Sequence, residues 1–303
     1  MTVSLAKDKM SVLILSKGKN SYETTRLVES FNDKNIEVNV AHSYEFSLCV
    51  NSQNTIKHLG KDYKLPDVVL LRAGAGTSDF TLSVAKEFAF AGVTVINEPK
   101  AIENARNKLL TSQILSRNNI PTPKTLLIQF PVNPDFIESE IGFPCVVKYS
   151  TGSKGNHVYL CKDKDELLTT TALMSNKNHK KMVLIQEYIG SKFGEDLRVI
   201  VIGGKVVGIM KRKSVNGDFR ANISKGGHGE TYPATDEIKE ISIKASNLLG
   251  LQIAGIDLLF DGDNFRVCEA NACPGFKGFE KYCNFNIADH ITEYIIKKGQ
   301  MQQ

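Results

Sequence analysis

Along the first hundred residues, short apolar runs alternate with stretches whose apolar positions recur at helical spacing. "SVLILS" (11–16) predicts a strand, 20–34 a helix, and "IEVNVAH" (36–42) a second strand. "DVVLLRAG" (67–74) leads to a helix over 79–91 and then to "VTVIN" (93–97). Apolar strands separated by helices predict a doubly wound parallel sheet. Ligands of such sheets bind beyond the carboxyl ends of the strands. Arg72 stands there, directly after four apolar residues, and both a structural salt bridge and a substrate-carboxylate contact are open to it. The loop after the first strand, "SKGKNS", has no GxGxxG, which removes most support for a dinucleotide-dependent dehydrogenase.

The pattern changes after residue 100. Residues 101–119 predict one helix carrying Asn107 and Lys108, and "IPTPK" (120–124) is a proline-marked linker. "FPCVVKYS" (143–150) is a buried strand with Lys148 near its end, followed by the Gly-rich "TGSKGNHVYL" (151–160). Glycines let backbone N–H groups approach oxygens closely and lysines supply charge, which suits phosphate. The loop is not a Walker A sequence, and an ordinary hairpin loop is the competing reading. "MVLIQEYIG" (182–190) is a strand that turns polar at Gln186. "DLRVIVIGGKVVGIMKRKS" (196–214) is a hairpin around Gly203 and Gly204, with Arg198, Lys211 and Arg212 near its ends. A polar loop over 216–229 holds Arg220 and Asn222. A helix from Thr235, its N-cap, to Gly250 follows, and a last helix covers 287–298.

Between those helices, "AGIDLLF" and "FRVCEAN" flank the turn signal "DGDN" (261–264), so 254–271 predicts an antiparallel hairpin. With 262–264 as a three-residue loop, Asp261 faces Phe265 and Asp257 faces Glu269, and Asn271 lies on the same side. Facing carboxylates repel unless something positive lies between them, and Mg²⁺ takes oxygen ligands of this kind. The alternative is an edge hairpin with a solvated face.

Bulk properties narrow the function classes only a little. The 303 residues allow roughly two domains, and 42% hydrophobic with 23% charged is ordinary globular composition. A net charge of +5, spread along the chain, suits anionic small substrates as well as a nucleic acid. Nothing resembles a nucleic-acid recognition motif, and no apolar stretch approaches membrane-span length, so neither nucleic acid nor membrane is an expected partner. Six cysteines show no zinc spacing, and Cys145, Cys161 and Cys268 lie in strand-like runs as small core residues. A reducing, cytoplasmic setting is the expectation.

Seven blocks, "NKLLTSQIL", "FPCVVK", "LIQEYI", "GEDLRVIVIGGKVVG", "GDFRANISKGG", "AGIDLL" and "CEANACPGFKGFEK", follow one another as in the ATP-grasp superfamily. The chain closely resembles its branch of RimK-type α-L-glutamate ligases, which includes the N-acetylaspartylglutamate and β-citrylglutamate synthases. The resemblance implies an α/β and α+β fold: a pre-ATP-grasp domain over 1–103, a first ATP-grasp lobe over 104–190, and a second over 191–303. It assigns Lys108 and Lys148 to the nucleotide phosphates, with Gly152, Ser153 and Gly155 in the loop beside them. Gln186, Glu187, Tyr188 and Ile189 would hold adenine, and Asp196 the ribose. Arg220 and Asn222 would reach the transferred phosphate or the intermediate. Asp257, Glu269 and Asn271 would hold Mg²⁺ or Mn²⁺, as two ions. Arg72, Arg198 and Arg212 are candidates for substrate carboxylates, the last two being equally readable as surface charges at hairpin ends.

The implied reaction is ATP-dependent amide formation through an acyl phosphate, adding glutamate to an acidic small molecule or protein tail. A homo-oligomer, dimer or tetramer, is expected. The other readings are an ATP-grasp module that binds ATP without catalysis and a ligase using a different amino acid. No Ser, Cys or His nucleophile is required.

Overall fold

The computed structural model describes residues 9–74, 77–152, 156–177, 182–215, 217–221, 223 and 226–301. They form two compact units. Unit 1 takes the described residues of Met1–Pro99, Gly275–Lys277 and Asn286–Gln303; unit 2 takes those of Lys100–Pro274 and Gly278–Phe285. The described residues 286–301, which the sequence reading kept with the third segment, thus pack in the first unit.

Unit 1 contains β1 (Ser11–Ser16), α1 (Tyr22–Asp33), β2 (Glu37–Ala41), β3 (Phe46–Leu48), β4 (Ile56–His58), β5 (Lys61–Asp62), β6 (Val68–Arg72), α2 (Asp79–Phe90) and β7 (Thr94–Ile96). The expected parallel sheet is present, in the order β2-β1-β6-β7. Its central strands are apolar because helices leave neither face to water; Val12 to Leu15 and Val68 to Leu71 are all buried. Ser21 and Ser78 cap α1 and α2, their side chains accepting from Thr24 and Thr81 backbone N–H. The small antiparallel sheet β3-β4-β5 has no counterpart in the sequence reading; its strands are two or three residues long, too short to show alternation.

Unit 2 opens with α3 (Pro99–Arg106) and α4 (Lys108–Arg117), where one helix was expected. Asn107 breaks it: its backbone is extended, at φ −103° and ψ 105°, and its side chain caps α4 by accepting from Leu109 and Leu110 N–H. The next elements are β8 (Thr125–Leu127), α5 (Pro134–Glu140), β9 (Cys145–Tyr149), β10 (Val158–Cys161), α6 (Lys164–Lys177) and β11 (Val183–Glu187). Their strands form a sheet ordered β10-β9-β11-β8. A second sheet, β14-β13-β12-β15-β16, is built from β12 (Glu195–Ile202), β13 (Lys205–Lys213), β14 (His228–Thr231), β15 (Ile253–Asp261) and β16 (Asn264–Asn271). The helix α7 (Asp236–Leu248) and all of α8 (Lys277–Tyr282) after Lys277 belong to this part, while α9 (Ile287–Gln300) closes unit 1 against α1. Among the described residues, no helix is long and apolar enough to cross a membrane.

The β15–β16 hairpin reaches the expected pairing by a different route. Its loop has two residues, so Asp261 faces Asn264 and not Phe265. Gly262, at φ +62°, allows the tighter turn. A bulge then leaves Cys268 without a partner and brings Asp257 opposite Glu269.

Candidate active site

Strand periodicity gives each sheet of unit 2 one face for the core and one for chemistry. On β9 and β11, Cys145, Val147, Tyr149, Val183 and Ile185 join one buried cluster. Val146, Lys148, Leu184 and Gln186 alternate with them and point to the other face. On β12 and β15, Leu197, Val199, Val201, Ile256 and Leu258 pack into the core that includes Ile238 and Ala245 of α7. Asp196, Arg198 and Asp257 occupy the opposite face. The charges are therefore where the pleat places them once the core face is filled.

Lys148 is 5% exposed, and its ammonium donates to Gln186 Oε1 at 2.8 Å. Gln186 Nε2 in turn donates to Thr125 Oγ1 at 2.7 Å, which fixes the amide. Burial pushes the Lys148 ammonium below the usual lysine range, with Lys108 adding to the shift and Cys268 and Glu269 opposing it. Lys108 begins α4, and its backbone N–H donates to Ser150 O at 2.8 Å, tying that helix to the end of β9. Its ammonium lies 3.3 Å from Glu269 Oε2 and donates to Gly152 O at 3.1 Å. One cation thus touches both the Gly-rich loop and the hairpin carboxylate.

A charged ladder crosses the second sheet. Arg212 faces Asp196, and Arg198 faces Asp257, which faces Glu269 in turn. Arg212, 4% exposed, grips Asp196 with two hydrogen bonds of 2.6 Å and reaches Asp257 Oδ2 at 3.1 Å. Arg198 is bidentate to Asp257, Nη2 donating at 2.8 Å. Burial resists ionisation of Asp257, but Arg198 and then Arg212 outweigh it and hold its carboxyl below the ordinary range. Burial moves Asp196 the other way, upward, against Arg212. Gly255 leaves room for this packing, since a Cβ there would lie 3.2 Å from Arg198 Cδ.

This arrangement changes three expectations. Arg198 and Arg212, expected to hold substrate carboxylates, have their guanidinium groups committed to protein carboxylates. Asp196, expected at the ribose, has both oxygens engaged by Arg212. Cross-strand register decides these partners, and it cannot be read from a strand's own sequence.

The other assignments fall in several places. Glu187 is held by Lys124 N–H at 2.6 Å and by Arg266 Nη1 at 2.5 Å, a link between β11 and β16 that the sequence reading missed. Tyr188 stacks edge-on to Phe219 at 6.3 Å, and half-buried Ile189 follows it. Arg220 pairs with Asp218 at 2.6 Å and donates to Val158 O at 3.3 Å. It also lines a cavity of about 590 Å³ with Tyr159, Glu166 and Phe219. Arg72 ends β6 of unit 1, with its guanidinium 5.6 Å from the Phe276 ring centre. Asn271 pairs in register with Gly255 beside the Asp257–Glu269 pair, and its side-chain amide donates to Gly255 O at 3.4 Å. Ser153, Gly155 and Asn222 lie outside the described residues.

Among the described residues, no group of three or more His, Cys, Asp or Glu could hold a metal ion. The candidate set is two carboxylates and an amide oxygen. These hard donors fit Mg²⁺ only if phosphate oxygens and water complete the shell.

Family models decide what the geometry leaves open. The RimK PreATP-grasp domain matches residues 10–102, and the RimK-like ATP-grasp domain matches 105–295. The chain belongs to the RimK-like ATP-grasp family. It is thus an ADP-forming carboxylate–amine ligase with a pre-ATP-grasp domain followed by an ATP-grasp domain. Among similar proteins of this RimK-like family is a probable alpha-L-glutamate ligase of Methanococcoides burtonii. It is 34% identical over 297 residues, 96% of this chain and 97% of that one. Probable alpha-L-glutamate ligase 2 of Shewanella denitrificans is 33% identical over 95% of this chain and 96% of its own. Two solved structures share the fold. The ATP-grasp ligase PsnB, complexed with a phosphomimetic variant of its minimal precursor, Mg and ADP, has a TM-score of 0.74 at 23% identity, covering 96% of this chain and 99% of that one. D-alanine–D-alanine ligase from Bacillus anthracis has a TM-score of 0.69 at 18% identity, covering 97% and 100%.

Proposed function

We propose that this ligase uses Mg·ATP to activate a carboxylate as an acyl phosphate and joins it to the amine of L-glutamate, the acceptor being itself acidic. The observation that carries this reading is Lys108, whose ammonium touches both Gly152 of the Gly-rich loop and Glu269 of the hairpin. Phosphate oxygens and their counter-cation have to meet at one place, and the contacts of Lys108 support this one. Lys148 and Lys108 would hold the phosphates; Asp257, Glu269 and Asn271 would hold the divalent ion. When bound, that ion offsets the charge of the phosphate oxygens.

A substrate carboxylate oxygen attacks the γ-phosphorus and ADP leaves. The amine nitrogen then attacks the acyl carbon, phosphate leaves, and the nitrogen loses a proton. Positioning and charge stabilisation supply most of such catalysis. Two ammonium groups held by protein contacts, one of them buried, suit that task. The glutamate preference is supported by the relatives called probable alpha-L-glutamate ligase.

The test is mass spectrometry of products after incubation with Mg·ATP, an amino-acid panel and candidate acceptors, alongside Glu269→Gln. Glutamate adducts and ADP are expected, with the variant folded by circular dichroism and at least a hundredfold slower. Near-normal turnover by the variant sinks the metal assignment. ATP binding without ADP formation under any acceptor would make the chain a nucleotide-binding module.

A further inference from the structure

We propose that Arg266 is a positioning residue for the nucleotide base: its guanidinium clamps Glu187 to the β15–β16 hairpin and so fixes Gln186 to Ile189 against the strands that carry Asp257 and Glu269. This rests on the ligase reading, with that stretch as the holder of the base. A base held by one sheet has to stay in line with phosphates and metal held by the other, because small misplacements of a reacting group are costly. At the phosphate end, Lys108 spans from Gly152 to Glu269. Nearer the hairpin turn, Arg266 spans from β16 to the end of β11.

Arg266 stands on the polar face of β16, since Phe265 and Val267 on either side of it belong to the core. Its Nε donates to Asp261 Oδ2 at 2.6 Å, on its own hairpin, and its Nη1 donates to Glu187 Oε1 at 2.5 Å. The same Glu187 oxygen accepts from Lys124 N–H at 2.6 Å, and Glu187 N–H donates back to Lys124 O at 2.9 Å. Main chain and carboxylate of Glu187 are therefore both held. Gln186, just before it, has its amide fixed by Lys148 and Thr125. A planar guanidinium sets two carboxylates at a defined separation, which an ammonium on a flexible stem does not.

The hairpin does not depend on this clamp for its place. Val267 N–H donates to Pro121 O at 2.8 Å, and Gly262 N–H to Ser191 Oγ at 3.0 Å. The Arg266 and Glu187 side chains are 31% and 27% exposed, a degree at which an ion pair adds little to stability. Loss of Arg266 acts locally instead. Glu187 and Asp261 lose their shared cation, and like charges push the end of β11 away from the hairpin. The consequence belongs to base recognition and not to folding.

The experiment uses the full chain with Mg²⁺, titrated calorimetrically with ADP and with GDP, which carry the same phosphates on different bases. Wild type is expected to bind ADP more tightly than GDP by about twentyfold or more. Arg266→Met should weaken ADP by about fivefold or more, leave GDP within about twofold, and melt within about 3 °C of wild type. Arg266→Lys keeps the charge and loses the fork, so it should show most of the same loss for ADP. Glu187→Ala should reproduce that loss, and adding Arg266→Met to it should cost less than about twofold more, since both remove one clamp. Equal losses of ADP and GDP, or full affinity in Arg266→Lys, would make Arg266 a source of charge only. Additive losses would make the two residues independent, and a melting point well below wild type would make Arg266 structural. Each of these overturns the proposal, as does a wild type without preference between ADP and GDP. Failure of the ligase reading looks different: nucleotide binds, yet no ADP forms from ATP with any amino acid, in wild type and variants alike. A wild type that binds neither nucleotide overturns both.

Discussion

At the scale of residues, the proposed metal site holds cations that satisfy its carboxylates. Lys108 lies against Glu269, while Arg198 and Arg212 hold Asp257. On the proposed assignment, a divalent ion arriving alone would have to displace an ammonium already seated, whereas a nucleotide arriving with it would offer Lys108 its phosphates instead. Lys108→Met is therefore expected to raise Mn²⁺ affinity in the absence of nucleotide about tenfold, roughly 1.4 kcal/mol, while weakening ADP binding. Electron paramagnetic titration of Mn²⁺ measures both, and a variant with no gain in nucleotide-free binding contradicts the exchange. Some of this was legible beforehand. Lys148 closing an apolar strand follows from alternation along the chain. Lys108, by contrast, was expected inside one helix, and Asp257 faces Glu269 only because a bulge at Cys268 offsets a loop one residue shorter than expected. The fate of Arg198, Arg212 and Asp196 was not legible, because each partner sits on another strand and a one-residue change of register would replace it.

Among the elements, long runs with a clear period read well and short ones do not. β1, β6 and the β12–β13 hairpin match the sequence expectation closely, because their burial patterns repeat over five or more residues. The single helix expected over 101–119 is two because one side chain, Asn107, competes for the helix backbone. The β15–β16 turn reads one residue too long, and the bulge at Cys268 makes up the difference. α9 offers a test of how such elements are held. Asp289 accepts from Ser30 and from Lys34, the latter at 2.9 Å, across to α1. The Ser30 hydroxyl, then Lys34, hold its carboxyl below the ordinary range against the cost of burial. A depressed pKa adds stability above the unfolded value near 3.9, lost as pH falls through the folded one. Asp289→Asn should remove that acid dependence from the α1–α9 contact. Because the side chain is 39% exposed, the cost at neutral pH should stay below about 1 kcal/mol. Hydrogen exchange of α1 and α9 between pH 3 and 7 reads it; parallel pH profiles for variant and wild type would exclude the role.

For the whole molecule, unit 1 is discontinuous and unit 2 nearly continuous. α9 buries Ile287, Ala288, Ile291, Thr292 and Ile295. Each apolar side chain of that size is worth about 1.5–3 kcal/mol when fully buried. A chain ended after Phe285 is expected to keep unit 2 resistant to limited proteolysis and to lose protection in β1, β6 and β7; equal resistance in both units would refute this. The same discontinuity gives the protein an order of birth. The sheet of unit 1 leaves the ribosome first, yet it waits for a helix encoded nearly two hundred residues later. At the usual 5–20 residues per second, that is roughly 10–40 s. Unit 2 is complete by Phe285, so the later-made part of the enzyme can fold first, and the first-made strands, apolar on both faces, are the ones a chaperone has reason to cover.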